Sequence, residues 1–214
     1  MNGKIIVIAH QKGGTGKSTI GSNLGVELSK LYPTKIIDLD IQKSLTAFTG
    51  YRKEKLAQEL ELLHTPKDPK GLMDIMNKHS KGILLIDTGG YDADLQRIAM
   101  IGADLIITPV SDSPMELHGL TVFMDTLSEL KEAKKDLVAH VLFNRIHRFA
   151  NIKIINLKND ISKLDNFKVF DTVIRNLKPF EDAFLEGKSV VEFDTNHQAS
   201  KEIKLLIEEI QNIL

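Results

Sequence analysis

Apolar runs bounded by turn-forming residues recur at 5–9, 35–39, 82–86, 104–108 and 137–143. Runs this short, with little polar alternation, have both faces covered, which predicts strands buried in a parallel sheet. Between them the apolar period becomes helical. Ile20, Leu24, Glu27, Leu28 and Leu31 share one mostly apolar stripe. Leu120, Phe123, Met124, Leu127 and Leu130 share another, with Ser113 as its cap and Pro114 at its first helical position. The closing stretch 200–214 is an amphipathic helix, with Ile203, Leu206, Ile207, Ile210 and Ile213 on the face expected to pack on the sheet. The stretch 51–64 suits a helix through Leu56, Leu60 and Leu63 as well as it suits a short strand over 61–64. Strand and helix alternate, which predicts a three-layer, doubly wound α/β fold. Its sheet is mostly parallel, helices cover both faces, and ligands bind at the carboxyl ends of the strands.

A length of 214 residues fits one domain, 1–214. The first strand begins so early that no N-terminal helix-turn-helix is expected. Without cysteine, disulfides, thiolate zinc sites and iron–sulfur clusters are excluded. The seven histidines form no His-x-x-x-His pair with a nearby acid and read as satisfied or surface residues. The opening apolar run is too short for a signal peptide or a membrane span, which points to a cytoplasmic protein. A net charge of −1 gives no global attraction to nucleic acid. Locally, 145–178 holds eight Lys/Arg against three acids, read either as a phosphate-binding surface or as an ordinary solvated face.

The first strand runs into Lys12-Gly13-Gly14-Thr15-Gly16-Lys17-Ser18-Thr19 and then a helix, the context that a phosphate-binding loop requires. Glycines at 13, 14 and 16 let backbone N–H groups converge on a phosphate. The helix adds its positive end, Lys17 a charge for the β and γ phosphates, and Ser18 a magnesium ligand. Six specified positions coincide by chance about once in 10⁷ starting points. ATP and Mg²⁺ are the expected cofactors. Gln11 stands where the first glycine of the general motif sits, and Lys12 adds a second lysine at the loop entrance, placed to reach a nucleotide held by a facing subunit.

This loop resembles that of the ParA/MinD-type deviant Walker A ATPases, whose hallmark is Lys-Gly-Gly-x-Gly-Lys-Ser/Thr. The resemblance continues through Asp38-Leu39-Asp40-Ile41-Gln42, the strand 83–87, Thr108-Pro109-Val110 with Ser113-Pro114, and Gly187-Lys188-Ser189-Val190. The short ParF-like DNA-partition ATPases are similar over nearly the whole chain, including Ser44-Leu45-Thr46. The resemblance implies a homodimer sandwiching two ATP molecules, with Lys12 crossing to the partner's phosphates and Asp40 orienting the attacking water. It also implies Asp87 and Asp40 beside the magnesium, contact of Asn144 and Arg145 with the adenine side, non-specific DNA binding and a nucleoid-associated location. The implied adaptor is a small DNA-binding protein, ParB-like or ribbon-helix-helix. The chain departs from the family at Ile41 and at Thr88-Gly89-Gly90, where prolines are usual, and those glycines suggest a mobile loop that senses the γ-phosphate. Bland alternatives stand beside these roles: a helix cap for Asp40, a turn residue for Asp87, a loop cap for Asn144 and a surface cation for Arg145.

Two other classes fit the same scaffold. A MinD-like membrane-surface ATPase needs a basic amphipathic anchor, whereas the closing helix carries Lys201 and Lys204 against Glu202, Glu208 and Glu209, so no membrane partner is expected. An ATP-dependent synthetase on the same scaffold stays open as an alternative but accounts less well for Lys12. Of a tyrosine autokinase there is no tail, since Tyr32, Tyr51 and Tyr91 are the only tyrosines.

Overall fold

The computed structural model describes residues 2–90 and 93–214, and Tyr91 lies outside them. In chain order the elements are β1 (Lys4–Ile8), α1 (Lys17–Ser29), β2 (Thr34–Asp38), α2 (Ser44–Leu56), β3 (Glu61–Leu62), α3 (Pro69–Lys78), β4 (Ile83–Asp87) and α4 (Ala93–Gly102). They continue with β5 (Leu105–Val110), α5 (Pro114–Leu130), β6 (Ala139–Ile146), α6 (Asn151–Ile161), β7 (Phe167–Arg175), α7 (Pro179–Leu185), α8 (Val190–Phe193) and α9 (Gln198–Ile213).

The strands form one seven-stranded sheet in the order β3-β2-β4-β1-β5-β6-β7, and every neighbouring pair is parallel. From β1 the chain passes through α1 to β2 on one side; from β4 it passes through α4 to β5 on the other. The carboxyl end of β1 therefore lies where the connections diverge, the crevice in which doubly wound sheets bind ligands. Alternate residues of the central strands fill two apolar layers. Ile6, Ile8, Leu85 and Ile107 pack with α1, α2, α7, α8 and α9, whereas Val7, Leu84, Ile86 and Ile106 pack with α3, α4, α5 and α6. The expected P-loop α/β architecture with helices on both faces is what the chain adopts.

All five predicted runs form strands, and Ser113 accepts a hydrogen bond from Glu116 N as the cap of α5, with Pro114 opening the helix. Three expectations change. Leu31 is 52% exposed because α1 stops at Ser29, and Ile213, at the last residue of α9, is 40% exposed. The ambiguous stretch 51–64 resolves into the end of α2 and the two-residue strand β3. Finally, β7 has no counterpart among the predicted runs. It is an edge strand whose burial alternates, so it lacks a continuous apolar run. Its register against β6 slips between Val169 and Val173, and the amides of Asp171 and Thr172 donate to the Glu209 carboxylate of α9 at 2.8 and 2.7 Å, which covers the irregular edge.

Candidate nucleotide site

Beyond β1 the chain turns through 9–16 into α1. Gly14 and Gly16 adopt left-handed backbone, with φ of 79° and 91°. A side chain at Gly16 would also collide with the Asn144 amide, so the loop is held against the end of β6 by a contact only glycine permits. No side chain caps α1, which leaves its first N–H groups and positive dipole end for an anion. Lys17 is only 5% exposed, and its Nζ donates to the Lys12 carbonyl at 3.2 Å. Burial lowers its pKa, against the opposing pull of the Asp87 and Asp40 carboxylates. The Lys12 ammonium has no hydrogen bond or ion pair among the described residues.

Two carboxylates, Asp40 just beyond β2 and Asp87 at the end of β4, act on Lys17, and Asp38 stands beside Asp87. Asp38 and Asp87 are register partners, and Ile8 pairs with Asp87 on its other side. Asp38 is spent on structure: it accepts from Asp40 N at 3.0 Å and from both the amide and the hydroxyl of Thr46 at 2.8 Å, tying α2 to β2. The capping role considered for Asp40 thus falls to Asp38. Asp40 accepts from Gln42 N at 2.9 Å through one oxygen. Asp87 is wholly buried and neither of its oxygens has a hydrogen-bond partner. Burial pushes its pKa up to about 7; the nearby Ser18 hydroxyl and Lys17 oppose the rise, while Asp38 and Asp40 add to it. An unpartnered buried carboxylate beside a hydroxyl is a donor set suited to a hydrated magnesium ion.

The segment after Asp87 lies against both neighbouring loops. A Cβ on Gly89 would stand 3.0 Å from Asp40 Cα, and one on Gly90 would stand 2.5 Å from the Gln11 carbonyl oxygen. Side chains there would force the three loops apart. Asn144 is buried and donates to the Thr15 carbonyl at 2.8 Å; Arg145 donates to the Gly14 carbonyl from a left-handed backbone, φ 60°. Arg145 and Lys43, φ 52°, are two of the three non-glycine residues held at positive φ among those described, and both flank this site.

A cavity of about 610 Å³ opens over the loop. Gly13, Gly14, Gly16, Lys17, Ser18 and Thr19 line one end, Asp40, Gln42 and Ser44 one side, and Asn144 and Arg145 the other. Thr15 is buried beneath the loop, and Asp87 lies behind the lining residues. The far wall is Arg175, Asn176, Leu177, Phe180, Glu181, Phe184 and Leu185, an apolar slot with polar rims. Sequence reasoning missed this wall because it follows the unrecognised β7. It also missed Asp38, for which the signal was the acid ending a buried strand, and His10. The ring of His10 is buried, accepts from Lys12 N at 2.9 Å and stacks on Phe123. Burial first, then the charge of Lys17, lowers its pKa to about 4.

A parallel sheet, a glycine turn at the end of its central strand and an uncapped helix start define a P-loop nucleotide-binding α/β protein. Residues 6–191 match the CobQ/CobB/MinD/ParA nucleotide binding domain, and the chain belongs to that family. It is similar to the maintenance of carboxysome distribution protein A of Halothiobacillus neapolitanus, with 23% identity over 96% of this chain and 95% of that one. A plasmid partition protein from Borrelia burgdorferi shares the fold over the full length of both chains, with a TM-score of 0.72 and 19% identity. The septum site-determining protein MinD from Pyrococcus horikoshii, solved with Mg-ADP, does so with a TM-score of 0.69 and 20% identity over 97% of this chain and 96% of that one.

Proposed function

We propose that this chain is a single-domain ATPase that binds Mg-ATP as a homodimer, binds DNA without sequence preference in that state, and positions a plasmid, chromosome or other cargo through adaptor-stimulated hydrolysis. The observation that carries the reading is the arrangement around Lys17: a glycine loop and helix start for phosphates, with Asp40 and Asp87 converging from adjacent strands. The names of relatives that act in plasmid partition and carboxysome distribution support the positioning role.

Phosphoryl transfer needs charge neutralisation and an aligned water more than covalent chemistry. The loop amides and Lys17 hold the β and γ phosphates, and leaving its Lys12 carbonyl contact frees the Lys17 ammonium for them. Magnesium, when bound, neutralises the phosphate oxygens, and Ser18, Asp87 and Asp40 are the residues that would hold it or its waters. With one Asp40 oxygen fixed by Gln42, the other is left to orient the attacking water. Lys12, without a partner among the described residues, supplies the second cation to the facing protomer. Asn144 and Arg145 brace the loop from behind, and the slot between Arg175 and Leu185 takes the base.

The eight cations of 145–178 do not form one free stripe. Lys153 pairs with Asp112, Lys163 with Asp160, Arg175 with Asn151 and the His147 carbonyl, Lys158 with the Asp171 carbonyl, and Arg145 with the loop. Arg148, Lys168 and Lys178 are exposed and have no ionic partner among the described residues, Arg148 lying over the Phe149 ring, which makes these three the better candidates for phosphate contact. The MinD-like alternative meets an obstacle in α9, whose apolar residues Ile203, Leu206, Ile207 and Ile210 are already buried on the sheet. Measuring ATP turnover with and without DNA, alongside gel shifts with an ATP analogue, tests the proposal. DNA binding that ignores nucleotide, or none at low salt, sinks the partition reading.

A further inference from the structure

A second cavity, of about 400 Å³, opens near the amino ends of β2 and β4 and shares no lining residue with the one over the glycine loop. Leu63, Ile75 and Leu84 supply its apolar part. Lys35, Lys78 and Lys81 line the rest with His79 and Ser80, and among the described residues no acid lines it. The turn that carries most of these polar groups is fixed from two sides. Gly82 holds a left-handed backbone, φ 76°, where a side chain would collide with the Pro33 carbonyl, and that same carbonyl accepts from Ile83 N at 2.8 Å. Opposite, the amides of Gly3 and Lys4 donate to the Ser80 and Gly82 carbonyls, each at 2.9 Å. His79 Nε2 donates across the turn to the Gly82 carbonyl at 3.3 Å. The rim is thus formed before any ligand arrives, which lowers the ordering cost of binding.

Of the three lysines only Lys35 is answered, by Glu61 of β3 at 2.8 Å. Lys78 and Lys81 are exposed, and neither ammonium has a hydrogen bond or ion pair among the described residues; Asp74, one turn before Lys78 on α3, does not pair with it. A lone cation in the last turn of a helix is ordinary, so Lys78 by itself would mean little. Lys35 and Lys81 lie outside the helices, and their convergence on the same concavity is not explained that way. A cleft lined by one sign of charge, with low-dielectric walls, concentrates the opposite ion. We propose that this cavity binds a small soluble amphipathic anion, its apolar or aromatic body against Leu63, Ile75 and Leu84 and its phosphate, sulfonate or carboxylate group held by Lys78 and Lys81. The volume lies within the range of about 300–1,000 Å³ usual for small-molecule sites. A nucleic-acid backbone fits less well, because it binds to open tracks of cations and makes no use of an apolar pocket. The free cations Arg148, Lys168 and Lys178 also belong to the other edge of the sheet, on or beside β6 and β7. The inference does not depend on the nucleotide reading. Lys35 and Leu84 pair at this end of β2 and β4, and Asp38 and Asp87 pair three residues, or about 10 Å, further along.

The probe for the test is 1-anilinonaphthalene-8-sulfonate, an aromatic body bearing one sulfonate. Fluorescence titration of the full chain should find a site whose affinity saturating Mg-ADP leaves unchanged. In the double variant Lys78→Gln, Lys81→Gln that affinity should fall by about tenfold or more, the loss expected when hydrogen bonds to a charged group are removed. Both positions are exposed, so the melting temperature should stay that of the wild type. The variant Lys78→Arg, Lys81→Arg, which keeps both charges, should retain most of the affinity. N-phenyl-1-naphthylamine, which lacks the sulfonate, and inorganic phosphate, which lacks the apolar body, should each bind the wild type about tenfold more weakly or worse. Equal sulfonate affinity in the glutamine variant overturns the proposal. So does displacement of the probe by Mg-ADP, which would place it in the nucleotide cavity, and so does inorganic phosphate binding as tightly as the sulfonate. Co-sedimentation with phosphatidylglycerol vesicles that is lost in the glutamine variant, without a soluble-probe site, assigns the lysines to a lipid headgroup and likewise overturns the proposal.

Discussion

In the proposed mechanism Lys17 and Asp40 have different tasks, and single substitutions separate them. Lys17 is buried among carboxylates and folds onto the loop carbonyl, so it is poised for a phosphate rather than for solvent. Lys17→Ala is expected to weaken ATP binding by about tenfold to a hundredfold, as calorimetry can measure, since hydrogen bonds to charged groups contribute about 1.5–3 kcal/mol. Unchanged affinity refutes the phosphate assignment. Asp40, by contrast, is held by a single backbone amide, and Asp38 does the structural work of tying α2 to its strand. Asp40→Ala should therefore still bind ATP and dimerise while single-turnover hydrolysis falls by about 10²-fold or more. Hydrolysis at the wild-type rate would reduce Asp40 to a turn residue.

At the scale of elements, burial pattern decides what could be read in advance. The central strands β1, β2, β4, β5 and β6 are covered on both faces and appear in the sequence as apolar runs, so the sheet and the loop that follows β1 were legible. The edge strands were less so: β3, two residues long, was one of two readings of 51–64, and β7 alternates because part of it faces out. Missing β7 also hid the far wall of the cavity, where Phe180, Phe184 and Leu185 give no motif. The histidines were read as satisfied or surface residues, yet His140 on β6 has an unpartnered, buried Nδ1 beside Phe170. Burial, then the charge of Lys168, lowers its pKa from 6.5 to about 4. The folded chain thus resists a proton that the unfolded chain accepts, so the fold loses stability as pH falls from about 6.5 to 4, by at most about 3 kcal/mol from this residue. His10 adds a loss of the same sign. Thermal melts across that window should show a smaller drop for His140→Leu than for wild type, and equal drops would mean that the imidazole gains no proton on unfolding.

For the whole molecule, the proposal that one copy is not the working unit turns on Lys12, whose ammonium has no hydrogen bond or ion pair among the described residues. Lys12→Ala should bind nucleotide normally and lose about 10²–10³-fold in turnover, the usual effect of removing one transition-state donor. A monomeric enzyme with full activity would contradict this. If the dimer is also the DNA-binding form, log affinity should fall linearly with log salt at about −0.9 per phosphate contacted. The slope should be steeper with ATP analogue than with ADP, and reversing the charge of Lys168 and Lys178 together should flatten it without touching dimerisation. Gel-shift titrations over a range of salt give both slopes, and identical slopes for the two nucleotide states would remove the link between dimer and DNA.

The cavity also has a history along the chain. Its floor, the glycine loop, comes from residues 13–19, and its far wall from residues 175–185, more than one hundred and fifty positions later. During synthesis the floor therefore emerges early and waits, exposed and unable to retain a base, until β7 has paired and α7 has packed behind it. A nucleotide spanning both parts fastens the earliest and latest-made regions of the molecule to each other. Saturating ATP should thus protect α7 from proteases as strongly as it protects the loop itself, although that helix carries none of the phosphate chemistry.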